Sequence, residues 1–280
     1  MIFAIPLQIL SVEEAWAYED TRDTQRLAHQ IPSEIEGVGI DQKLGDQIDL
    51  NTQFIDDSGK PVALGRFFNG VKPVIISVVY YDCPSLCNYH LNGLTETLKK
   101  LQWTVGQQFE VVAITMNYRE DYPLAAAKKA NYIKSYGRPE SVNGWHFLTG
   151  TDSNIQKVTN QLGFGFKWIE ATQQYAHASA AIILTPGGQI SRYLSGLVFT
   201  EKDLKLSLLE ASGGKIGSIV DQIVMFCFQF DPSKNKYTLY AFNLMRIAAL
   251  LMVAVMLIFL TPIWLRERKL NMIAKGDNKV

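Results

Sequence analysis

Apolar and polar positions along this chain change period several times, and each change predicts an element. Ile48, Leu50, Thr52 and Phe54 alternate with polar neighbours, the period of a half-buried strand, and Asp56-Asp57-Ser58-Gly59 closes it with a turn. Val74 to Tyr81 (VIISVVYY) is a continuous run rich in β-branched residues, which predicts a central strand buried on both faces. Asp82 to Leu86 breaks it, and Leu91, Leu94, Leu98 and Leu101 then recur at helical spacing. Phe109 to Met116 predicts a second buried strand, and the alanine- and lysine-rich stretch Leu124 to Tyr136 a helix. Trp145 to Leu148 is a short strand; Asp152 or Ser153 caps a helix carrying Ile155, Val158 and Leu162. Ala180–Leu184 and Gln189–Leu194 flank Pro186-Gly187-Gly188, a hairpin signal, and Thr200 with Asp203 opens a last helix as a capping box. Strands alternating with helices and a terminal hairpin predict an α/β fold with a mixed central sheet flanked by helices, an order that a thioredoxin-like sandwich fits.

Outside this core the pattern changes again. Residues 1–17 (MIFAIPLQILSVEEAWA) carry a short apolar run and a small-x-small end, a signal-like segment. Residues 18–45 are polar and read as an extended arm. The folded domain then covers 46–211. Ile216, Ile219, Val220, Ile223, Val224 and Cys227 form one apolar stripe, so 212–240 reads as an amphipathic helix and linker. Ile247 to Leu265 has no charge and suits a bilayer-spanning helix within 241–265. Arg266, Arg268 and Lys269 follow it, against Arg246 alone at the other end. The positive-inside rule then makes 266–280 a basic cytoplasmic tail and puts the domain on the periplasmic or extracytoplasmic side.

Composition removes some function classes. Lysine and arginine total 27 and so do aspartate and glutamate, so nothing suggests the net basic surface of a nucleic-acid binder. Three cysteines in 280 residues exclude a disulfide-stapled scaffold.

Two of those cysteines, Cys83 and Cys87, stand where the first long strand ends and its helix begins. A helix N-terminus offers free N–H groups and a positive dipole end, both of which favour thiolate, the form that ligates metal or attacks a disulfide. Three intervening residues let the sulfurs converge on one small ion or close into a disulfide. Soft thiolates select Cu(I), and an added imidazole accommodates Cu(II). Of the four histidines, His29 lies in the polar arm and His146 between Trp145 and Phe147 in a strand. His90 is three residues after Cys87 on the same helical face, so spacing alone makes Cys83, Cys87 and His90 a plausible cluster. His177, just before a hairpin strand, is unremarkable by spacing.

The segments VIISVVYYDCPSLC (74–87), TMNYREDYP (115–123), FLTG (147–150) and HASAAIILTPGGQI (177–190) resemble the Sco/SenC family of cytochrome c oxidase assembly factors. Cys83, Pro84 and Cys87 match its Cys-Pro-x-x-Cys motif, and His177, Leu184, Pro186 and Gly188 its downstream histidine and hairpin. The resemblance implies a thioredoxin-like domain binding one copper through Cys83, Cys87 and His177, rather than His90. It further implies action at the copper-bearing subunit of cytochrome c oxidase, with a copper donor or thiol reductant as further partner. Asn88 stands where the family often has proline, and Ala176 where it often has aspartate. The alternative reading is a thiol-disulfide oxidoreductase, in which Cys83 and Cys87 would be the redox dithiol, Cys83 attacking and Cys87 resolving. Cys227 reads as an inert thiol on the apolar stripe.

Overall fold

The computed structural model of the chain describes residues 35–213, 228–231, 236–239 and 241–277. The signal-like segment, His29, the apolar stripe of 216–227 and Cys227 lie outside them.

The two most apolar runs make the centre of the sheet. Strands β4 (Val74–Val79) and β5 (Glu110–Thr115) are buried at every position and pair in parallel from Val74↔Glu110 to Val79↔Thr115. Strand β6 (Trp145–Leu148) extends the parallel set beyond β5. On the other side β9 (Ala180–Leu184) runs antiparallel to β4, and β10 (Ile190–Ser195) antiparallel to β9, giving the order β10-β9-β4-β5-β6. This mixed sheet is thioredoxin-like. Parallel neighbours need crossovers, and helices α1 (Leu86–Lys100) and α2 (Tyr122–Tyr136) supply them.

Helix ends follow local chemistry. The Asp121 carboxylate accepts the Leu124 N–H to start α2, and Gly137 ends it at φ 76°, a left-handed conformation that glycine adopts without a Cβ penalty. Helix α3 (Asp152–Gln161) is capped one residue earlier than expected, by the Thr151 hydroxyl accepting from Asn154 N–H. Thr200 caps α4 (Glu201–Ala211) by accepting the Asp203 N–H, as the capping box predicts.

The alternation over 48–54 proves to be burial without a strand. Ile48, Thr52 and Phe54 are buried, but the Asp49 carboxylate accepts the Asn51 N–H and turns the chain. Only β2 (Gln53–Ile55) is extended; it pairs with β3 (Pro61–Ala63) across the expected turn. A second sheet was not anticipated: β1 (Gly39–Ile40), β7 (Phe164–Ile169) and β8 (Gln174–His177) form an antiparallel group beside the main one. The stretch expected to be linker after 227 holds a hairpin, β11 (Phe228–Asp231) with β12 (Lys236–Leu239). Helix α5 (Ala241–Asp277) follows and runs through Pro262 into the basic segment, a dozen residues past the expected end of the span. Its window Met245–Pro262 has a mean hydropathy of 2.2 and no buried share, so it is long and apolar enough to cross a membrane.

Candidate metal and thiol centre

Cys83 lies in the loop after β4, and Cys87 is the second residue of α1. The three residues between them form no helical turn, since the helix begins only at Leu86. Convergence comes instead from the sharp strand-to-helix junction, where the Cys87 N–H points at the Cys83 sulfur at 3.5 Å. His177, the last residue of β8, reaches the same place from a sequence distance of 90 residues: its Nε2 is 3.2 Å from Cys87 Sγ. The two sulfurs and one imidazole nitrogen lie within 4.8 Å of one another, the one such group of potential metal ligands among the described residues.

The protonation pattern suits a ligand set. His177 Nδ1 is 2.7 Å from the Ala178 carbonyl oxygen, which can only accept, so Nδ1 carries the proton and Nε2 presents its lone pair to the sulfurs. Burial depresses the imidazole pKa, outweighing the Ala178 bond, and keeps the ring neutral at pH 7.

The two thiols differ. Burial pushes the Cys83 thiol up, but hydrogen bonds from the Tyr80 hydroxyl and from the Cys87 and Ser85 N–H groups together outweigh it and hold the pKa below the ordinary thiol value. Burial dominates at Cys87 and raises its thiol well above that value, although the Tyr80 N–H donates to its sulfur at 3.4 Å. The helix dipole was expected to favour thiolate at both cysteines. Only Cys83, at which the first N–H groups of α1 point, gains from it; Cys87 lies inside the turn among apolar neighbours.

His90 is placed elsewhere. It is buried, its Nε2 2.9 Å from Ser77 Oγ and its Nδ1 2.9 Å from Ser179 Oγ, with the Phe199 ring edge-on. Complete burial lowers its pKa to about 4. Three residues after Cys87 is the same helical face, but on α1 that face points into the core. His146 packs on Phe67 and pairs with Glu110 Oε2 at 3.2 Å, a half-buried edge residue as its strand neighbours predicted.

Five further residues complete the surroundings. Tyr80 touches both cysteines, by its hydroxyl and its N–H. The Tyr80 ring meets Tyr175 at 5.5 Å, which ties the hairpin carrying His177 to the segment leading from β4 into the cysteines. Asn88 Nδ2 donates to the Cys83 carbonyl at 2.6 Å, and Lys128 Nζ to Asn88 Oδ1 at 3.0 Å. Glu120 accepts the Tyr81 and Asp82 N–H groups, and desolvation raises its pKa. The alternation of Phe164, Phe166 and Trp168 is the one sequence signal for the first strand of this unanticipated hairpin.

These features define a thioredoxin-like domain with a Cys-x-x-x-Cys pair completed by a distant histidine. A family profile, SCO1/SenC, matches residues 41–205, more than half of the chain and all three site residues. The chain belongs to the SCO1/SenC family. Among solved structures it is similar to an electron transfer protein from Aquifex aeolicus VF5, with 23% identity over 61% of this chain and 95% of that one and a TM-score of 0.53. It is also similar to BsSco, a member of the Sco family of cytochrome c oxidase assembly proteins, with 20% identity over 62% and 97% of the two chains and a TM-score of 0.50. Copper-bound yeast Sco1 aligns at 21% identity over 57% and 82%, with a TM-score of 0.42. No curated protein matches.

Proposed function

We propose that the protein binds one copper ion through Cys83, Cys87 and His177 and delivers it, from a membrane-anchored position, to the copper centre of cytochrome c oxidase. The carrying observation is the convergence of two thiol sulfurs and the His177 Nε2 lone pair within 4.8 Å. Two thiolates suit Cu(I), and the imidazole lets the set accept Cu(II). Family membership supports copper as the cargo and the oxidase as the destination. The chain's own residues prepare the site: Ala178 orients the imidazole, the Tyr80 and Cys87 donors stabilise negative charge at Cys83, and surrounding burial keeps bulk water from the sulfurs.

Helix α5 supports the anchor, since its apolar window is unburied and carries the length of a bilayer span. The basic residues that follow it favour a cytoplasmic C-terminus and an extracytoplasmic domain. A reporter fused after Val280 that is active only outside the cytoplasm rejects this orientation.

Copper stoichiometry and the Cu(II) electron paramagnetic resonance spectrum test the site. The expected result is one copper per chain with thiolate character, lost in Cys83→Ser and His177→Ala and kept in His90→Gln. Failure of the wild-type chain to retain copper against a mild chelator rejects the proposal.

The asymmetry of the two thiols favours a second reading, reduction of a partner disulfide. The Cys83 thiolate would attack one partner sulfur and release the other as a thiolate, which takes up a proton. Deprotonated Cys87 would then attack Cys83 Sγ, releasing the second partner thiol and leaving a Cys83–Cys87 disulfide. Full activity in Cys87→Ser cells would reject this reading.

A further inference from the structure

The junction that carries Cys83 has little to fix its own shape. Ser85, the N-cap of α1, makes no side-chain capping bond and sits at φ −140°, ψ −87°, outside the usual cap conformation. Pro84 has no N–H to donate. The constraint arrives from the β5–α2 segment. Glu120 Oε2 accepts the Tyr81 N–H at 2.9 Å and Oε1 the Asp82 N–H at 2.8 Å, so one carboxylate grips both peptides leading into Cys83. Thr115 Oγ1, at the end of β5, donates to Oε2 at 2.5 Å and fixes the carboxylate in turn. From the far side, Lys128 of α2 holds Asn88, whose amide donates to the Cys83 carbonyl.

The geometry points to Glu120 as the positioning residue of this centre: it sets where Cys83 Sγ stands relative to Cys87 and His177. The inference rests on the reading of Cys83 as a ligand or attacking thiol. Glu120 touches neither sulfur. It acts on Cys83 through the backbone, as a charge-assisted acceptor for the Tyr81 and Asp82 N–H groups. Glutamine at this position keeps the length and one acceptor oxygen but turns an NH₂ toward one of the two N–H groups, so one end of the grip becomes a repulsion.

The test uses the full chain in detergent and compares wild type, Glu120→Gln, Thr115→Val and Val158→Ala. Val158 is fully buried on α3, an element that carries none of the three site residues. The first readout is the alkylation rate of Cys83 in metal-free protein, followed by peptide mass; the second is the Cu(II) paramagnetic resonance spectrum. Glu120→Gln should speed Cys83 alkylation about tenfold, the effect of losing one charge-assisted hydrogen bond, and should change the copper hyperfine splitting. Thr115→Val should move both the same way by less, and Val158→Ala should lower the melting temperature with both readouts unchanged. An unchanged alkylation rate in Glu120→Gln, or an equal rise in Val158→Ala, overturns the inference. If Glu120→Gln does not fold, an unchanged rate in Thr115→Val overturns it. Absence of copper in the wild type rejects only the copper reading, because the alkylation rate needs no metal.

Discussion

At the scale of single residues, two histidines on this chain have opposite assignments, and burial decides between them. His177 keeps a lone pair pointing at the sulfurs, whereas His90 spends both nitrogens on serine hydroxyls. That gives His90 a measurable signature. Its pKa is about 4 in the fold and about 6.5 in an unfolded chain. Between those values the unfolded chain binds a proton that the folded one refuses, so stability is lost as pH falls from about 6.5 to about 4. The loss approaches ~3 kcal/mol at the low end. Urea unfolding of metal-free protein as a function of pH should show this slope in wild type. His90→Gln, which keeps a hydrogen-bonding amide but no titrating ring, should flatten it; an equally steep slope in the variant would assign the acid sensitivity to other groups, His177 first, whose pKa is lowered too.

At the scale of elements, the site depends on how α1 and the β7–β8 hairpin are seated. Gly93 lets α1 approach the loop after β10 so closely that an added Cβ would lie 1.9 Å from the Leu197 carbonyl oxygen. Gly93→Ala should therefore cost about 1–3 kcal/mol, the range for overpacking a tight contact, and displace the loop rather than the helix. Thermal unfolding would give the cost, and increased hydrogen exchange over 196–199 the location. The hairpin is held from the other side by Tyr175, which meets Tyr80, Phe166 and Trp168. Tyr175→Ala should weaken copper retention through His177 by roughly tenfold, in line with substitutions that disturb the support of a metal ligand. A chelator competition gives the ratio, with no change expected if the hairpin is held by its backbone alone.

For the whole molecule, the question is where the domain is kept. The unburied apolar window of α5 predicts that the chain sediments with membranes and resists alkaline carbonate. Val253→Arg with Met256→Arg places two charges near the middle of that window, each costing about 2.5–3.5 kcal/mol at a bilayer centre. The double variant should move to the soluble fraction with its copper site intact. Retention in the membrane would mean that another part of the chain holds it there.

Much of this was legible in the chain, for local reasons. Val74–Val79 and Glu110–Thr115 are buried on both faces, and a β-branched apolar run has few other places to go. Thr200 marks a helix start because its chemistry acts within one turn. The Cys83–Cys87 pair was visible as a motif, and the family resemblance selected His177 where spacing alone favoured His90. Tertiary structure decided the rest. Asp49 turned an alternating stretch that composition alone reads as a strand. The turn between Ile169 and Gln174 brought His177 back to the cysteines, although 90 residues separate it from Cys87 and no local pattern encodes that distance. Glu120 and Asn88 bond backbone groups, which every residue carries, and Lys128 acts only through the Asn88 side chain, so no residue pattern announces them. Local order follows from residue type and period, but which distant side chains meet follows from how the sheet is wound.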